Sequence, residues 1–195
     1  FMGAPNPGMK GGQAIAEIIL GETEPSGRLP ITFPRHAGQL PVYYNQIRGQ
    51  HGNRYADLTQ DPAFAFGEGL GYTTFAYGEP TITNVPASGT FATTDTVHAE
   101  VALTNTGERK GTEVVQLYIG DIVTSYSWTD CELKAFQRVE LEPGETKTVA
   151  FDIPVSECTI VDSDANRIVE PGEFEVLIGH SSRRRDLKRT TFTVA

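Results

Sequence analysis

A glycine-rich stretch divides the chain of 195 residues into two parts with different patterns. It reads Phe66-Gly-Glu-Gly-Leu-Gly-Tyr-Thr-Thr-Phe75, and its glycines alternate with larger residues. Alternating glycines indicate positive φ angles or close backbone contacts, so we expect a junction between two structural units here. A phosphate-binding loop is the alternative, but no helical pattern follows the stretch and no Lys beside Ser or Thr is attached to it.

The residues after the junction predict an all-β fold. Short runs that alternate apolar and polar residues recur from Tyr72 onward, and the 20 Gly and 12 Pro of the chain supply many turns. Short strands with such turns are typical of a β-sandwich of immunoglobulin or fibronectin type III character. The predicted strands are 72–77, 80–84, 97–105, 112–120, 133–141, 146–153, 158–162, 173–179 and 190–194.

The residues before the junction predict only a small amount of regular structure. Apolar residues at 14, 15, 18 and 19 indicate an amphipathic helix over 11–20, with Gly21 as its C-cap, and 29–33 reads as a short strand. One helix and one strand cannot bury a core of their own, so we expect the end of a domain whose larger part lies upstream. The chain opens with Phe1, which leads us to expect either a fragment or a processed product.

Composition narrows the classes of partner. The net charge of −9 argues against nucleic acid or an anionic membrane, and no apolar run approaches the length of a membrane span. Arg183, Arg184 and Arg185 are interpreted as a solvated loop rather than a binding patch. Cys131 and Cys158 lie in no metal-binding motif; we expect free thiols, with a disulfide as the alternative.

Several motifs in series resemble the carboxy-terminal part of glycoside hydrolase family 3, the β-glucosidase and β-xylosidase family. They cover nearly the whole chain in the family's order. Besides the junction itself, they are Gly12-Gln-Ala-Ile-Ala-Glu-Ile-Ile-Leu-Gly21, Pro25-Ser-Gly-Arg-Leu-Pro-Ile-Thr-Phe-Pro34, Gln39-Leu-Pro-Val-Tyr-Tyr-Asn45, Asn105-Thr-Gly107, Gly111-Thr-Glu-Val-Val-Gln-Leu-Tyr118, Leu133-Lys-Ala-Phe-Gln-Arg-Val139, Leu141-Glu-Pro-Gly-Glu145 and Val169-Glu-Pro-Gly-Glu-Phe174.

The resemblance implies three regions: the last helix and strand of an α/β sandwich domain (1–34), a wrapping linker (35–71) and a fibronectin type III-like β-sandwich (72–195). It also implies a retaining exo-β-glycosidase that needs neither metal nor cofactor. In the family, the aspartate nucleophile comes from a barrel domain in a Ser/Thr-Asp-Trp-type context, and the acid/base glutamate lies upstream of the final helix. No such motif occurs here, so we expect no catalytic residue on this chain and no turnover by the chain alone.

Four residues are candidates for contact with substrate at the rim of the active site. Arg54, Tyr55 and Asp57 resemble an Arg-Tyr-x-Asp stretch of related enzymes, and can either bind sugar hydroxyls or anchor the linker. Trp128 stands where relatives often carry an Arg-Pro pair. It can stack on a sugar, fill a dimer contact or pack against its own domain.

These patterns leave three functions open. In the first, the chain completes and braces the upstream barrel and α/β sandwich domains of the same enzyme, which acts on a β-linked oligosaccharide or glycoside. In the second, it is a carbohydrate-binding module that uses Trp128, Tyr126 and the 45–66 loop. In the third, it is a structural module that braces a homodimer.

Overall fold

The computed structural model describes residues 2–4, 6–47 and 59–195. In these residues one α-helix, α1, spans Gly11–Ile19, and three short 3-10 helices span Ala37–Gln39, Val155–Glu157 and Arg184–Asp186. Among the described residues, the strands begin at the last residue of the junction: β1 Phe75–Tyr77, β2 Thr81–Ile82, β3 Thr96–Asn105, β4 Gly111–Asp121, β5 Glu132–Leu141, β6 Thr146–Pro154, β7 Ile160–Val161, β8 Arg167–Ile168, β9 Gly172–Gly179 and β10 Lys188–Val194.

The strands form two antiparallel sheets that face each other. In the first, β3 pairs with β6 along one edge and with β1 and β2 along the other. In the second, the order is β10-β9-β4-β5. A separate hairpin joins β7 to β8. The fold class predicted from the sequence, a β-sandwich preceded by a helix and a long connecting segment, is confirmed.

The core lies between the two sheets, because alternate side chains of each long strand point inward. The inward residues are Val97, Ala99, Val101 and Leu103 of β3, Val115, Leu117 and Ile119 of β4, Val149, Phe151 and Ile153 of β6, and Phe174, Val176 and Ile178 of β9. Phe192 of β10 stacks on Phe174, with ring centroids 5.3 Å apart. Period-two alternation thus places one face of every central strand out of water.

The first strand is shorter than predicted, beginning at Phe75 instead of residue 72. Tyr72 makes its hydrogen bonds with the segment before the junction and not with a sheet. Its N–H donates to Glu24 Oε1 at 2.8 Å, and its hydroxyl donates to the carbonyl of Ile18. The prediction also missed β8, which pairs with β7 in the small hairpin.

The glycines of the junction are required by close contacts, as the sequence predicts. Gly67 has φ of 77°, and a Cβ there would lie 2.0 Å from Gln116 Oε1. Gln116 donates through Nε2 to the carbonyls of Gly67 (3.0 Å) and His180 (2.7 Å), so the junction sits directly on β4. A Cβ at Gly69 or Gly71 would lie 2.6 Å or 2.3 Å from its nearest neighbouring atom.

Helix α1 ends in the manner that Gly21 predicts. Gly21 has φ of 75° and donates to the carbonyl of Ile18, while Glu22 donates to that of Glu17. This pair of bonds is the Schellman motif, which a left-handed glycine makes possible. The helix buries only Gly11, and Ile19 and the adjoining Leu20 are 67% and 72% exposed. Ile19 and Leu20 therefore do not pack on the sandwich, whereas Ile15 and Ile18 are partly buried.

The predicted strand over 29–33 is reduced to one isolated bridge, between Phe33 and Phe64. Leu29 also exchanges hydrogen bonds with the junction, donating to the carbonyl of Glu68 and accepting from the N–H of Gly67. Residues 29–33 thus pair with the chain that leads into the junction, and not with a sheet of their own.

Candidate functional site

The loop between β4 and β5, residues 122–131, carries the aromatic residues that the sequence marks as binding candidates. Its backbone is held at several points. Ser125 N–H donates to Glu170 Oε2 at 2.9 Å, and Asp130 N–H donates to the carbonyl of Gln46 at 2.9 Å. These bonds fix the loop between the β8–β9 connection and the segment that precedes the sandwich.

A pocket of about 340 Å³ opens beside this loop, and we call it the Trp128 pocket. Its lining combines two aromatic rings, one aliphatic side chain, four hydroxyl-bearing residues and one carboxylate: Tyr126, Trp128, Ile47, Thr124, Ser125, Ser127, Thr129 and Asp121. Trp128 is partly buried and also borders a much smaller cavity on its sandwich side, near Ile119 and Phe174.

Of the four predicted site residues, Trp128 alone lies within the described part of the chain. Arg54, Tyr55 and Asp57 lie outside the described residues. Ile47 forms an isolated bridge with Thr129, the neighbour of Trp128. The residue just ahead of segment 48–58 therefore lies next to the loop that carries Trp128.

A second, more apolar pocket of about 410 Å³ lies around Tyr43, Tyr44 and Phe66. Tyr44 stacks on Phe66, with ring centroids 4.3 Å apart, and meets Tyr118 edge-on at 5.9 Å. The Tyr44 hydroxyl accepts a hydrogen bond from the N–H of Leu133, and burial raises the pKa of that hydroxyl. These contacts attach the connecting segment to the outer face of the second sheet.

The three consecutive arginines form ion pairs and are not a fully solvated loop. Arg183 pairs with Glu68 at 2.8 Å, Arg184 with Asp130 at 3.0 Å and with Glu175, and Arg185 with Asp61 at 3.1 Å. Burial alone would raise the pKa of Glu68, but the N–H of Ala65 and the Arg183 guanidinium together hold it below its usual range. Because carboxylates already neutralise the cluster, it does not offer a free anion site.

A buried ion pair ties the segment before the junction to β4. Arg28 Nη2 lies 2.8 Å from Glu113 Oε1, and the two side chains are 10% and 6% exposed. Burial, followed by the nearby Glu113 charge, raises the pKa of Tyr77 beside this pair. The segment is thus attached to the sandwich by a charge contact that water barely screens.

The two parts of the chain match two different family models. A family model described as the glycosyl hydrolase family 3 C-terminal domain matches residues 1–72, and one described as a fibronectin type III-like domain matches residues 113–182. The chain belongs to glycoside hydrolase family 3. The regions matched are those of the family's carboxy-terminal part, as the motifs predict.

Named relatives of this family 3 chain are glycosidases. It is 43% identical to a β-xylosidase of Formosa agariphila, over 96% of the chain and 26% of the relative. It is 39% identical to a periplasmic β-glucosidase of Salmonella typhimurium, over 91% of the chain and 24% of the relative. The chain spans about a quarter of the length of these relatives.

Solved structures agree with this family assignment. A β-glucosidase involved in saponin metabolism from intestinal bacteria is 86% identical, with a TM-score of 0.95 over 98% of this chain and 25% of that one. A β-glucosidase of Listeria innocua is 32% identical, with a TM-score of 0.84 over 96% of this chain and 27% of that one. The sandwich and the segment before it are thus arranged as in these enzymes.

The two cysteines of the family 3 chain are free and buried, which confirms the expectation of unpaired thiols. Burial raises the pKa of Cys131 to about 12 and that of Cys158 to about 11. Both thiols are therefore protonated near neutral pH, and neither has the properties of a nucleophile.

Within residues 2–4, 6–47 and 59–195, no group of three or more His, Cys, Asp or Glu side chains is arranged to hold a metal ion. In the same part of the chain, no helix has the length and hydropathy needed to cross a bilayer.

Proposed function

We propose that the chain is part of a retaining exo-β-glycosidase that removes terminal β-linked sugars, and that it serves to complete and brace the catalytic domains. The observation that carries this proposal is the 86% identity, over 98% of the chain, to a β-glucosidase involved in saponin metabolism. On this basis we infer that a β-glucoside is the substrate of the complete enzyme. A retaining mechanism uses a carboxylate nucleophile and a carboxylic acid about 5–5.5 Å from it.

The nucleophile and the acid/base are proposed to lie on parts of the enzyme outside this sequence. The chain would contribute the end of an α/β sandwich domain (1–34), a linker (35–71) and the β-sandwich (72–195). Its exposed apolar residues support a bracing role, because Ile19, Leu20, Ile31 and Leu40 are each more than half exposed. The barrel and α/β sandwich domains would cover them, at a gain of about 25 cal/mol per Å² of apolar surface.

Turnover and its stereochemistry test this proposal. The chain alone should not hydrolyse 4-nitrophenyl β-D-glucoside or β-D-xyloside, whereas the chain joined to the upstream domains of the 86% identical enzyme should hydrolyse one of them. Proton NMR of the first product should show the β-anomer, as retention requires. Turnover by the chain alone would refute its non-catalytic role, and an α-anomer would refute retention.

Arg54, Tyr55, Asp57 and Trp128 are proposed as rim contacts to substrate. In the joined enzyme, Asp57→Ala should raise KM for an oligosaccharide more than for an aryl monoglucoside, because only the longer substrate extends past the rim. An equal effect on both substrates would favour the alternative, in which Arg54 and Asp57 anchor the linker.

A second candidate function is a non-catalytic module that binds carbohydrate or braces a homodimer. The Trp128 pocket favours its carbohydrate-binding form, because two aromatic rings and several hydroxyls share one lining. Light scattering tests the dimer form: a solution mass near the chain's 21.2 kDa would exclude it for the isolated chain.

A further inference from the structure

The carboxyl end of helix α1 meets a loop of the sandwich, the β3–β4 loop at residues 106–110. Arg109 of this loop donates through Nη2 to the carbonyl of Gly21 at 2.5 Å. Its guanidinium carbon also lies 5.3 Å from the centre of the Tyr72 ring, which is the geometry of a cation–π contact. The Tyr72 hydroxyl in turn donates to the carbonyl of Ile18. We call these three contacts the helix clamp.

The helix clamp supplies a positive charge at a helix end that has none of its own. The carboxyl end of a helix carries a partial negative charge, which a nearby cation stabilises. The sequence of α1 contains no Lys, Arg or His, and Glu17 and Glu22 stand in and just after its last turn. Arg109 lies 88 positions further along the chain than Gly21, so the complementary charge comes from the sandwich.

A buried asparagine holds the β3–β4 loop in the shape that the helix clamp requires. Asn105 is completely buried, and its side chain uses both its acceptor and its donor groups. Its Oδ1 accepts hydrogen bonds from the Thr73 hydroxyl at 2.7 Å and from the N–H of Gly107 at 3.1 Å. Its Nδ2 donates to the carbonyls of Arg109 at 2.7 Å and of Leu141 at 3.0 Å. The backbone of Arg109 is therefore fixed to the sandwich, and only its side chain has to reach α1.

The β3–β4 loop also lies directly against the junction that carries Tyr72. Thr106 N–H donates to the carbonyl of Thr74 at 2.8 Å. A Cβ at Gly107 would lie 2.3 Å from Thr73 Oγ1, so this close approach requires glycine. Asn105 thus holds both side chains of the helix clamp, Arg109 through its backbone and Tyr72 through the neighbouring Thr73.

From these contacts we propose that the β3–β4 loop is a docking surface for the carboxyl end of a helix, and that α1 is the helix that it binds. Gly21 belongs to residues 1–72, which match the family 3 C-terminal domain, whereas Arg109 belongs to the sandwich. The helix clamp therefore fixes the last helix of one domain against the next domain. The inference rests on the proposed bracing function and deepens it, because it names the surface that does the bracing. Asn105 is a positioning residue that acts through Arg109.

Amide hydrogen exchange, measured by NMR on the isotope-labelled chain, tests the helix clamp at the helix end. Gly21 and Glu22 donate to the carbonyls of Ile18 and Glu17, so their exchange reports whether this end of α1 is held. Arg109→Ala should accelerate exchange at Gly21 and Glu22 about fivefold, because a favourable charge and a hydrogen bond are lost together. Exchange in the sandwich core should not change, since the Arg109 side chain is exposed.

Two further arginine variants separate the helix clamp from a general loss of positive charge. Arg109→Lys keeps the charge but not the planar guanidinium, and should restore part of the protection that Arg109→Ala loses. Arg138→Ala removes another exposed arginine, which donates to Ser26 Oγ at 2.8 Å in the same segment of the chain. It should leave exchange at Gly21 and Glu22 unchanged.

Asn105→Ser tests the positioning role, because the bonds of the Asn105 side chain go to no residue of α1. This variant should nevertheless accelerate exchange at Gly21 and Glu22, since the β3–β4 loop loses its bonds. If it does not fold, the side-chain NMR signal of Arg109 takes its place. The Tyr72 ring should shift the Nε–H signal of Arg109 upfield in wild type, and Tyr72→Leu should remove that shift.

Four results would overturn the proposal. They are unprotected amides at Gly21 and Glu22 in wild type, equal exchange in wild type and Arg109→Ala, an equal effect of Arg138→Ala, and an Arg109 signal that Tyr72→Leu does not move. Unchanged exchange in a folded Asn105→Ser variant would refute the positioning role. None of these measurements depends on turnover, so failure here leaves the proposed glycosidase function to its own assay.

Discussion

The sandwich and the segment before it differ in how their apolar side chains are covered. In the sandwich, Phe174 and Val176 are almost completely buried between two sheets. In the segment, Ile19 is 67% and Ile31 58% exposed. The sandwich therefore contains the interactions that stabilise it. The segment instead exposes apolar surface that contact with another domain would bury.

The two regions also differ in how they are attached. Backbone ladders join the strands of the sandwich, but the segment is held to it by separate contacts. The main ones are the Arg28–Glu113 ion pair, the edge-on contact of Tyr44 with Tyr118 and the fit of Gly67 against Gln116. We therefore expect a substitution in the sandwich core to lower the stability of the whole chain. A substitution at one of these contacts should mainly loosen the segment from the sandwich.

The largest effect is expected in the sandwich core. Phe174→Ala should lower the free energy of unfolding by about 3–5 kcal/mol, because a large side chain is lost from a closed space. Ile19→Ala, on the exposed part of α1, should change it by less than about 0.5 kcal/mol. Urea unfolding followed by circular dichroism measures both. Similar losses in the two variants would contradict the distinction between the regions.

The next effect is expected at the buried ion pair. Glu113→Ala leaves the Arg28 guanidinium buried without its carboxylate, and should cost about 3 kcal/mol. Amide exchange at Leu29 should accelerate more than exchange in β9, since the lost contact holds the segment. Glu79→Ala removes an exposed partner of Lys188 and is the matched control, with no measurable loss expected. Unchanged exchange at Leu29 would show that the pair does not hold the attachment.

Two glycines with the same backbone conformation sharpen the comparison. Gly67 and Gly89 have φ of 77° and 80°, but only Gly67 has neighbours that a Cβ would meet. Gly89→Ala should cost about 1 kcal/mol through backbone strain alone. Gly67→Ala should cost about 2–3 kcal/mol, because it also displaces Gln116 from its hydrogen bonds. Thermal unfolding of the pair measures the difference, and equal costs would mean that Gln116 moves aside freely.

Local sequence patterns predicted much of the fold because strand alternation, helical spacing and a helix C-cap each depend on residues close together in the sequence. Alternation identified β3, β4 and β9, since each strand has one buried face. Spacing of apolar residues identified α1, and Gly21 marked its end. Strand β1 began later than predicted because Tyr72 bonds to Glu24, far away in the sequence.

The candidate site was less predictable because its contacts join distant parts of the chain. Trp128 was recognisable as an unusual residue, but its position beside Ile47 depends on a bridge that no local pattern encodes. The arginines at 183–185 read as a solvated loop, whereas Arg183 pairs with a carboxylate 115 residues away. Spacing along the chain gives no signal for such pairs.

The smallest effect is expected at the Arg183–Glu68 pair, which is partly open to solvent. Arg183→Ala should lower the free energy of unfolding by no more than about 1 kcal/mol at neutral pH. The pKa of Glu68 is lower in the folded chain than in the unfolded one, where it is about 4.3. Its stabilising contribution is therefore present above about pH 4.3 and lost as the pH falls through the folded pKa.

Urea titrations between about pH 3 and 7 test this contribution. Arg183→Ala should lose less stability on acidification than wild type, because its Glu68 no longer pairs with a cation. Arg185→Ala removes a more exposed arginine, keeps the Glu68–Arg183 pair and is the matched control. If wild type and Arg183→Ala follow the same pH dependence, the attachment at this point depends on the apolar contacts of Phe66 and Tyr44, and not on charge.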